Sequence, residues 1–161
     1  NQAVKENIQT YLTQFRMVTD AVNIKNAFII NIAVQFSLLT KVGYNKDEVV
    51  LKAIQKVKEF FNIDKWQIGQ PIVLADLAYQ ISLTDGVAAV VPPDDNNPKG
   101  LPVLIGNKFK ESEGYSGNVY DITTATKGGV VYPSLDPSCF ELKFANADIE
   151  GRVVGNSTGG N

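Results

Sequence analysis

The fold is decided by residues 27–39, which read AFIINIAVQFSLL. The even positions from Phe28 to Leu38 are all large and apolar, whereas several odd positions are small or polar, as at Asn31 and Gln35. Alternation with a period of two is typical of a strand that packs one face on a core and leaves the other face in solvent or under a lighter cover. The run is about twice as long as an ordinary strand, so we predict a twisted or bulged strand that needs covering on its apolar face.

A helix that can supply this cover follows directly. Asn45 can cap a helix, and Glu48 stands three residues later, as in a capping box. Apolar residues then recur at helical spacing from Val50 to Phe61. The stripe is wide, which predicts a helix lying on a sheet rather than a narrow coiled-coil seam.

The other elements of this half follow from the same periodicities. An amphipathic helix is predicted over 4–17, a short extended segment over 66–73, a second helix over 75–82 and a strand over 87–91. Helices and strands thus mix along the chain without a repeating parallel unit. The sequence predicts an α+β fold, with helices packed on one face of a small sheet.

The character of the chain changes after Pro92. Short apolar segments separated by glycine and proline turns replace the helical periodicities, which predicts a smaller β-rich lobe. The predicted organisation is therefore an α+β domain over 1–92, a loop over 93–117, the β-rich lobe over 118–154 and a disordered tail over 155–161.

Composition excludes several classes of function. Fifteen basic and seventeen acidic residues give a net charge of −2 with no basic stripe, so nucleic acid is not an expected partner. No apolar run approaches the roughly 20 residues of a membrane span, so no membrane contact is expected. Histidine is absent, which removes histidine bases and metal ligands, and the single cysteine cannot form an internal disulfide.

Each motif that could bind a cofactor or metal lacks residues that such a site requires. The run 94–100, DDNNPKG, begins like a calcium-binding loop. However, Lys99 would occupy a position that should supply an oxygen ligand, and Gly106 would occupy the position where a bidentate Glu is required. The glycines of 114–117 and 128–129 precede no predicted helix and no Gly-Lys-Ser/Thr. We therefore predict no catalytic residue, no metal, no cofactor and no small-molecule substrate, and hence a protein that is not an enzyme.

Aromatic residues are the candidate binding residues, because aromatic side chains anchor protein interfaces. Trp66 follows the aromatic pair at the end of the first predicted cover helix, where it suits either a core or a binding anchor. The candidate interface residues are Trp66, Tyr115, Tyr120 and Tyr132.

Two stretches resemble a known family. Residues 60–77, FFNIDKWQIGQPIVLADL, with the Gly86-Val87 step that follows, resemble the baseplate J-like family of contractile phage tails. Residues 136–144, DPSCFELKF, and 146–151, NADIEG, look like the C-terminal end of the T4-like member of that family, which joins baseplate wedges in a ring. The first residues, NQAVKE, carry neither a starting Met nor a signal-type apolar run, so we expect a fragment from the C-terminal part of such a protein.

The resemblance implies a structural subunit of the virion, located in the tail baseplate and assembled in the bacterial host cytoplasm. It implies homodimeric and ring contacts with copies of the same chain, and contacts with other baseplate wedge proteins. We expect residues 92–118 and the β-rich lobe to carry these contacts. Two other classes stay open: a tail-associated carbohydrate- or receptor-binding module with an exposed aromatic platform, and a hydrolase that uses carboxylates alone.

Overall fold

The computed structural model of the chain describes residues 28–94 and 96–156. The strands are β1 (Phe28–Thr40), β2 (Ile72–Val73), β3 (Val87–Val91), β4 (Leu104–Asn107), β5 (Thr126–Lys127), β6 (Val130–Val131), β7 (Ser138–Glu141) and β8 (Ile149–Asn156). The helices are α1 (Lys46–Phe60), α2 (Leu74–Ser82), α3 (Ile122–Ala125) and α4 (Ala145–Asp148), with a 3₁₀ turn at Glu111–Glu113. This mixture confirms the α+β class, while the helix predicted over 4–17 lies outside the described residues.

β1 is the centre of a five-stranded sheet in which each of the other strands pairs with it. β3 and β4 pair with β1 antiparallel, whereas β7 and β8 pair with it parallel. β8 and β3 share residues 37–40 of β1, and β8 and β4 share residues 34–35, so β8 lies on the opposite side of β1 from β3 and β4. The register shifts near Leu39, which agrees with the bulged strand predicted from its length.

The core lies between the apolar face of β1 and the two longer helices. The even residues of β1 from Ile30 to Leu38 are at most 1% exposed, which confirms the predicted alternation. They meet one stripe of each helix in a single cluster, formed by Val49, Ala53 and Val57 of α1 and by Leu74, Leu77 and Ile81 of α2. The period of two in β1 therefore sets which face the helices cover.

α1 begins as predicted. The backbone N–H of Glu48 donates to the Asn45 side chain at 3.1 Å, which satisfies one of the free N–H groups of the first turn. The buried stripe is rotated slightly from the predicted one, because Val49 and Ala53 are buried while Val50 is only half-buried.

The later strands do not form the separate lobe that was predicted over 118–154. β7 and β8 complete the main sheet, β8 continues to Asn156, and only β5 and β6 join β2 in a small second sheet. At the start of the predicted β-rich lobe, residues 118–121 form a loop that leads into α3, which Asp121 caps by accepting from the N–H of Thr124. The reason is that β1 is long enough to pair with two short strands end to end on each side, and local alternation does not specify a distant partner.

Candidate functional site

A groove of about 360 Å³ lies among the end of α1, the turn after it and β7. We call it the aromatic groove and define it by its apolar lining, which is Ile29, Phe61, Ile63, Trp66, Cys139, Phe140 and Leu142. Lys58, Asn62, Glu141 and Lys143 complete the lining. The predicted interface residue Trp66 thus lines a concave, mostly apolar surface.

A tight turn places Trp66 in this groove. After α1 ends, the backbone N–H of Trp66 donates to the carbonyl of Asn62 at 3.0 Å, and the N–H of Asp64 donates to the Asn62 side chain at 2.9 Å. The turn folds the indole back onto the aromatic pair, with ring centroids 5.5 Å from Phe60 and 5.0 Å from Phe61. These tilted contacts are favourable aromatic geometries and hold the ring in place.

Among the described residues, the Nε1–H of the Trp66 indole has no hydrogen-bond acceptor. Trp66 is only 9% exposed, and its Nε1–H finds no acceptor within the part of the chain that the structure describes. Within residues 28–94 and 96–156, Thr84 Oγ1 is the other buried side-chain atom without a hydrogen-bond partner, and Thr84 does not line the groove. An unsatisfied buried donor costs about 1–3 kcal/mol, so an acceptor brought to Trp66 would recover free energy.

Cys139 contributes apolar surface to the groove rather than a nucleophile. Its Sγ lies 3.8 Å from the carbonyl of Gln67, in the loop that β7 also contacts through Ser138. Burial, with a smaller effect of the Glu141 carboxylate, raises the pKa of the Cys139 thiol to about 11. The thiol is therefore protonated at neutral pH and unreactive as a thiolate.

A second groove, of about 420 Å³, lies beside Ala33 and Gln35 of β1. We call it the polar groove, because its lining includes Asn97, Lys99 and Glu150. No aromatic residue is among the side chains that line it. Its surface could meet a polar ligand but offers no ring on which a sugar would stack.

In the run 94–100, which begins like a calcium-binding loop, the side chains of Asn97 and Lys99 are already hydrogen-bonded within the protein. The Asn97 amide donates to the carbonyls of Pro93 and Leu101 and accepts from the N–H of Leu101, at 2.8 to 3.0 Å. The Lys99 ammonium donates to the carbonyls of Thr123 and Thr126. Across residues 28–94 and 96–156, no group of three or more His, Cys, Asp or Glu side chains could hold a metal ion.

Two of the predicted interface tyrosines lie together. The Tyr120 hydroxyl donates to the carbonyl of Tyr132 at 2.6 Å, and burial raises the pKa of Tyr120. The Tyr120 ring packs edge-on against Phe140 of the aromatic groove, with centroids 6.1 Å apart. Tyr132 is 46% exposed, so this pair extends from the groove lining to an exposed aromatic side chain.

Tyr115 lies apart from these residues, in a buried contact with the end of α4. Its hydroxyl donates to Asp148, 2.8 and 2.9 Å from the two carboxylate oxygens. Burial, followed by the hydrogen bond to Asp148, raises the pKa of Tyr115 to about 12. Phe144 packs edge-on against the ring, and the Lys108 ammonium lies 5.6 Å from its centroid.

Asn31 is a buried polar residue that the sequence analysis assigned only to the lighter face of β1. It is 0% exposed, its amide donates to Glu141 at 2.6 Å, and its side-chain oxygen accepts from the N–H of Ser116 at 2.8 Å. It thereby ties β1 to both β7 and the loop before α3. An amide among residues 27–34, whose other side chains are all apolar, is the signal that could have found it.

Comparisons with known proteins identify no relative. No family model, no curated protein and no solved structure matches the chain. Among the residues that the structure describes, no helix is long and apolar enough to cross a membrane.

Proposed function

We propose that the chain is a non-catalytic structural subunit of a contractile phage tail's baseplate wedge. In this proposal it associates with copies of itself in a ring that joins wedges, and it binds other wedge proteins through the aromatic groove. It would be assembled in the host cytoplasm and reside in the virion. The resemblance of residues 60–77 and 136–151 to the baseplate J-like family supports the baseplate assignment.

The observation that carries the proposal is the Trp66 indole in the aromatic groove. A buried aromatic ring with an unpartnered N–H next to an apolar concave surface suits a partner that supplies both apolar contact and an acceptor. Two lysines line the groove, and each has one hydrogen bond, from Lys58 to the Asn146 side chain and from Lys143 to the carbonyl of Gly114, so further N–H donors of each ammonium are left for a partner. The one carboxylate of the lining, Glu141, already accepts from Asn31. The fitting partner is an apolar segment with acidic side chains from a neighbouring wedge protein.

The state of the reactive side chains also supports a scaffold rather than an enzyme. Cys139 is protonated, the Lys99 ammonium is held by two carbonyls, and Asp148 accepts the hydroxyl of Tyr115. Groups occupied in this way hold structure in place, whereas catalytic acids, bases and nucleophiles have to face a substrate.

A matched pair of exposed residues tests the groove. Ile63 lines the groove and is 65% exposed, whereas Val42 lies in the turn after β1 and is 61% exposed. Ile63→Asp places a carboxylate where the partner's apolar side chain would pack, so we expect at least a tenfold loss of affinity for the wedge proteins of the same phage. Co-expression of the tagged chain with those proteins, followed by calorimetry on any complex, measures the change.

The control variant Val42→Asp should bind as the original chain does. The proposal fails if the original chain binds none of the wedge proteins, or if both variants bind equally well. It also fails if Ile63→Asp lowers the free energy of unfolding of the isolated chain as much as it weakens binding. In that case the chain itself would already fill the groove.

The polar groove favours a second candidate, a carbohydrate- or receptor-binding module. Its lining includes the Gln35 amide and the Glu150 carboxylate, which could bond a polar ligand such as a surface sugar. A glycan array distinguishes the two functions, because specific sugar binding that is lost in Gln35→Ala would favour the module. Absence of binding to any glycan would leave the scaffold as the better proposal.

A further inference from the structure

β8 is an edge strand with one open side. It pairs with β1 over residues 34–40, and no second strand pairs with it among the described residues. Its eight residues make it longer than β3, β4 or β7. Over residues 149–153, the open side of this edge offers backbone N–H and C=O groups to any strand of matching register.

The hydrogen bonds of β1 show which of its residues bond toward β8. Phe28 donates from its backbone N–H to the carbonyl of Pro137, on the β7 side. Asn31 accepts at its backbone carbonyl from the N–H of Lys108, on the β4 side. Because backbone groups alternate along a strand, the even residues of β1 bond toward β7 and β8.

The same alternation identifies the residues of β8 that face outward. Phe36 stands opposite Gly151, and in a parallel ladder its backbone groups bond the residues on either side of the opposite one. Glu150 and Arg152 therefore turn their backbone groups toward β1. Gly151 turns its N–H and C=O outward, and so do the residues two positions away, Ile149 and Val153.

The side chains around Gly151 carry opposite charges in a self-complementary order. Glu150 and Arg152 flank Gly151, and both are exposed. Neither takes part in a salt bridge within the part of the chain that the structure describes. If two copies of this strand run antiparallel about Gly151, each Glu150 stands opposite an Arg152 of the other copy.

We propose that β8 pairs antiparallel with β8 of a second copy, about a two-fold axis at Gly151. The two Gly151 residues form a hydrogen-bonded pair, and so do Ile149 and Val153 on each side. Glu150 and Arg152 fall at non-hydrogen-bonded positions, where cross-strand side chains approach most closely. The occupant of the edge is thus another copy of this chain, and the inference rests on the self-association in the proposed function.

Such pairing is isologous, because the same residues of both copies meet. It would make one continuous sheet through the two copies. It would also remove the exposed edge that makes strands liable to non-specific aggregation.

Charge reversal tests the register. Glu150→Arg and Arg152→Glu each place like charges opposite one another twice, so each should raise the dimer dissociation constant about tenfold or more. An equimolar mixture of the two variants should form a heterodimer of near-original affinity, because each positive strand then faces a negative one. Sedimentation equilibrium measures all of these species, and Lys127→Glu, at the exposed residue of β5, is the control that should change nothing.

Thermal unfolding of each variant checks that the fold is retained. If the original chain dimerises but neither reversal weakens the dimer, or if the mixture forms no heterodimer, the β8 pairing is overturned while self-association stands. If the original chain is monomeric at millimolar concentration, the self-association in the proposed function fails together with this inference. Slower amide exchange at Gly151 and Val153 as concentration rises would support the pairing directly.

Discussion

Tyr115 and Asp148 show how a single contact joins distant parts of the chain. The Tyr115 hydroxyl is buried against a carboxylate that follows it by 33 residues, and it is bonded to both carboxylate oxygens. Burying a carboxylate without a donor is unfavourable, so the hydroxyl stabilises Asp148 as well as itself. The contact holds the loop before α3 against α4.

Removal of this hydroxyl should lower stability in a pH-dependent way. At neutral pH, Tyr115→Phe should reduce the free energy of unfolding by about 1–3 kcal/mol, because Asp148 loses a buried donor. The folded pKa of Tyr115, about 12, exceeds the ordinary 10.0, so its contribution is present below pH 10 and is lost as pH rises through 12. Urea titrations at several pH values measure the difference between the two chains.

Tyr79→Phe is the matched control, since Tyr79 is 60% exposed on α2. It should leave stability unchanged at neutral pH. An equal loss in both variants, or a Tyr115→Phe difference that grows rather than shrinks above pH 10, would contradict the role assigned to Asp148.

At the scale of the elements, α1 depends on Asn45, the residue that caps it just before its first turn. Asn45→Ala removes the acceptor for the N–H of Glu48 and should lower the free energy of unfolding by about 1 kcal/mol. Asn45→Asp keeps an acceptor oxygen at the same place and should cost only a few tenths of a kcal/mol or nothing. Chemical denaturation of both variants distinguishes the two effects, and an equal loss in both would show that the cap is not the cause.

How far the elements follow from sequence depends on how local their causes are. The ends of β1, α1 and β3 were predicted to within about one residue, because alternation and capping depend only on residues close together in the sequence. α3 and α4 have four residues each, too few to show a helical period. The partners of β1 were not predictable, since contacts such as Asn31 with Glu141 join residues 110 positions apart.

The candidate site was predicted in the same unequal way. Trp66 was found because an aromatic side chain at the end of a helix is visible in the sequence. The lack of an acceptor for its N–H depends on how three segments pack together, namely the turn at Asn62, α1 and β7. No local sequence pattern predicts this packing. Tyr115 was predicted as an interface residue because it is aromatic, whereas its hydrogen-bond partner Asp148 is evident only from the structure.

For the whole molecule, the shared sheet makes the two halves of the chain interdependent. A chain that ends at residue 117 would lack β7 and β8 and would leave one side of β1 without any strand. We expect it to show no cooperative unfolding transition and to bind an apolar dye strongly. A chain that ends at residue 156 keeps each described strand and should unfold as the full chain does, whereas cooperative unfolding of the shorter chain would restore the separate-lobe prediction.

The central place of β1 also fixes an order of events during synthesis. The ribosome makes residues 28–40 before the other described elements, yet the strand that completes their pairing is made more than a hundred residues later, as the 115-residue separation of Thr40 from Gly155 shows. At about 5–20 residues per second, the apolar strand waits roughly 6 to 23 seconds for its last neighbour. A nascent chain in this interval offers chaperones a long unpaired strand, and release from the ribosome before β8 is made would yield a product that cannot close its own sheet.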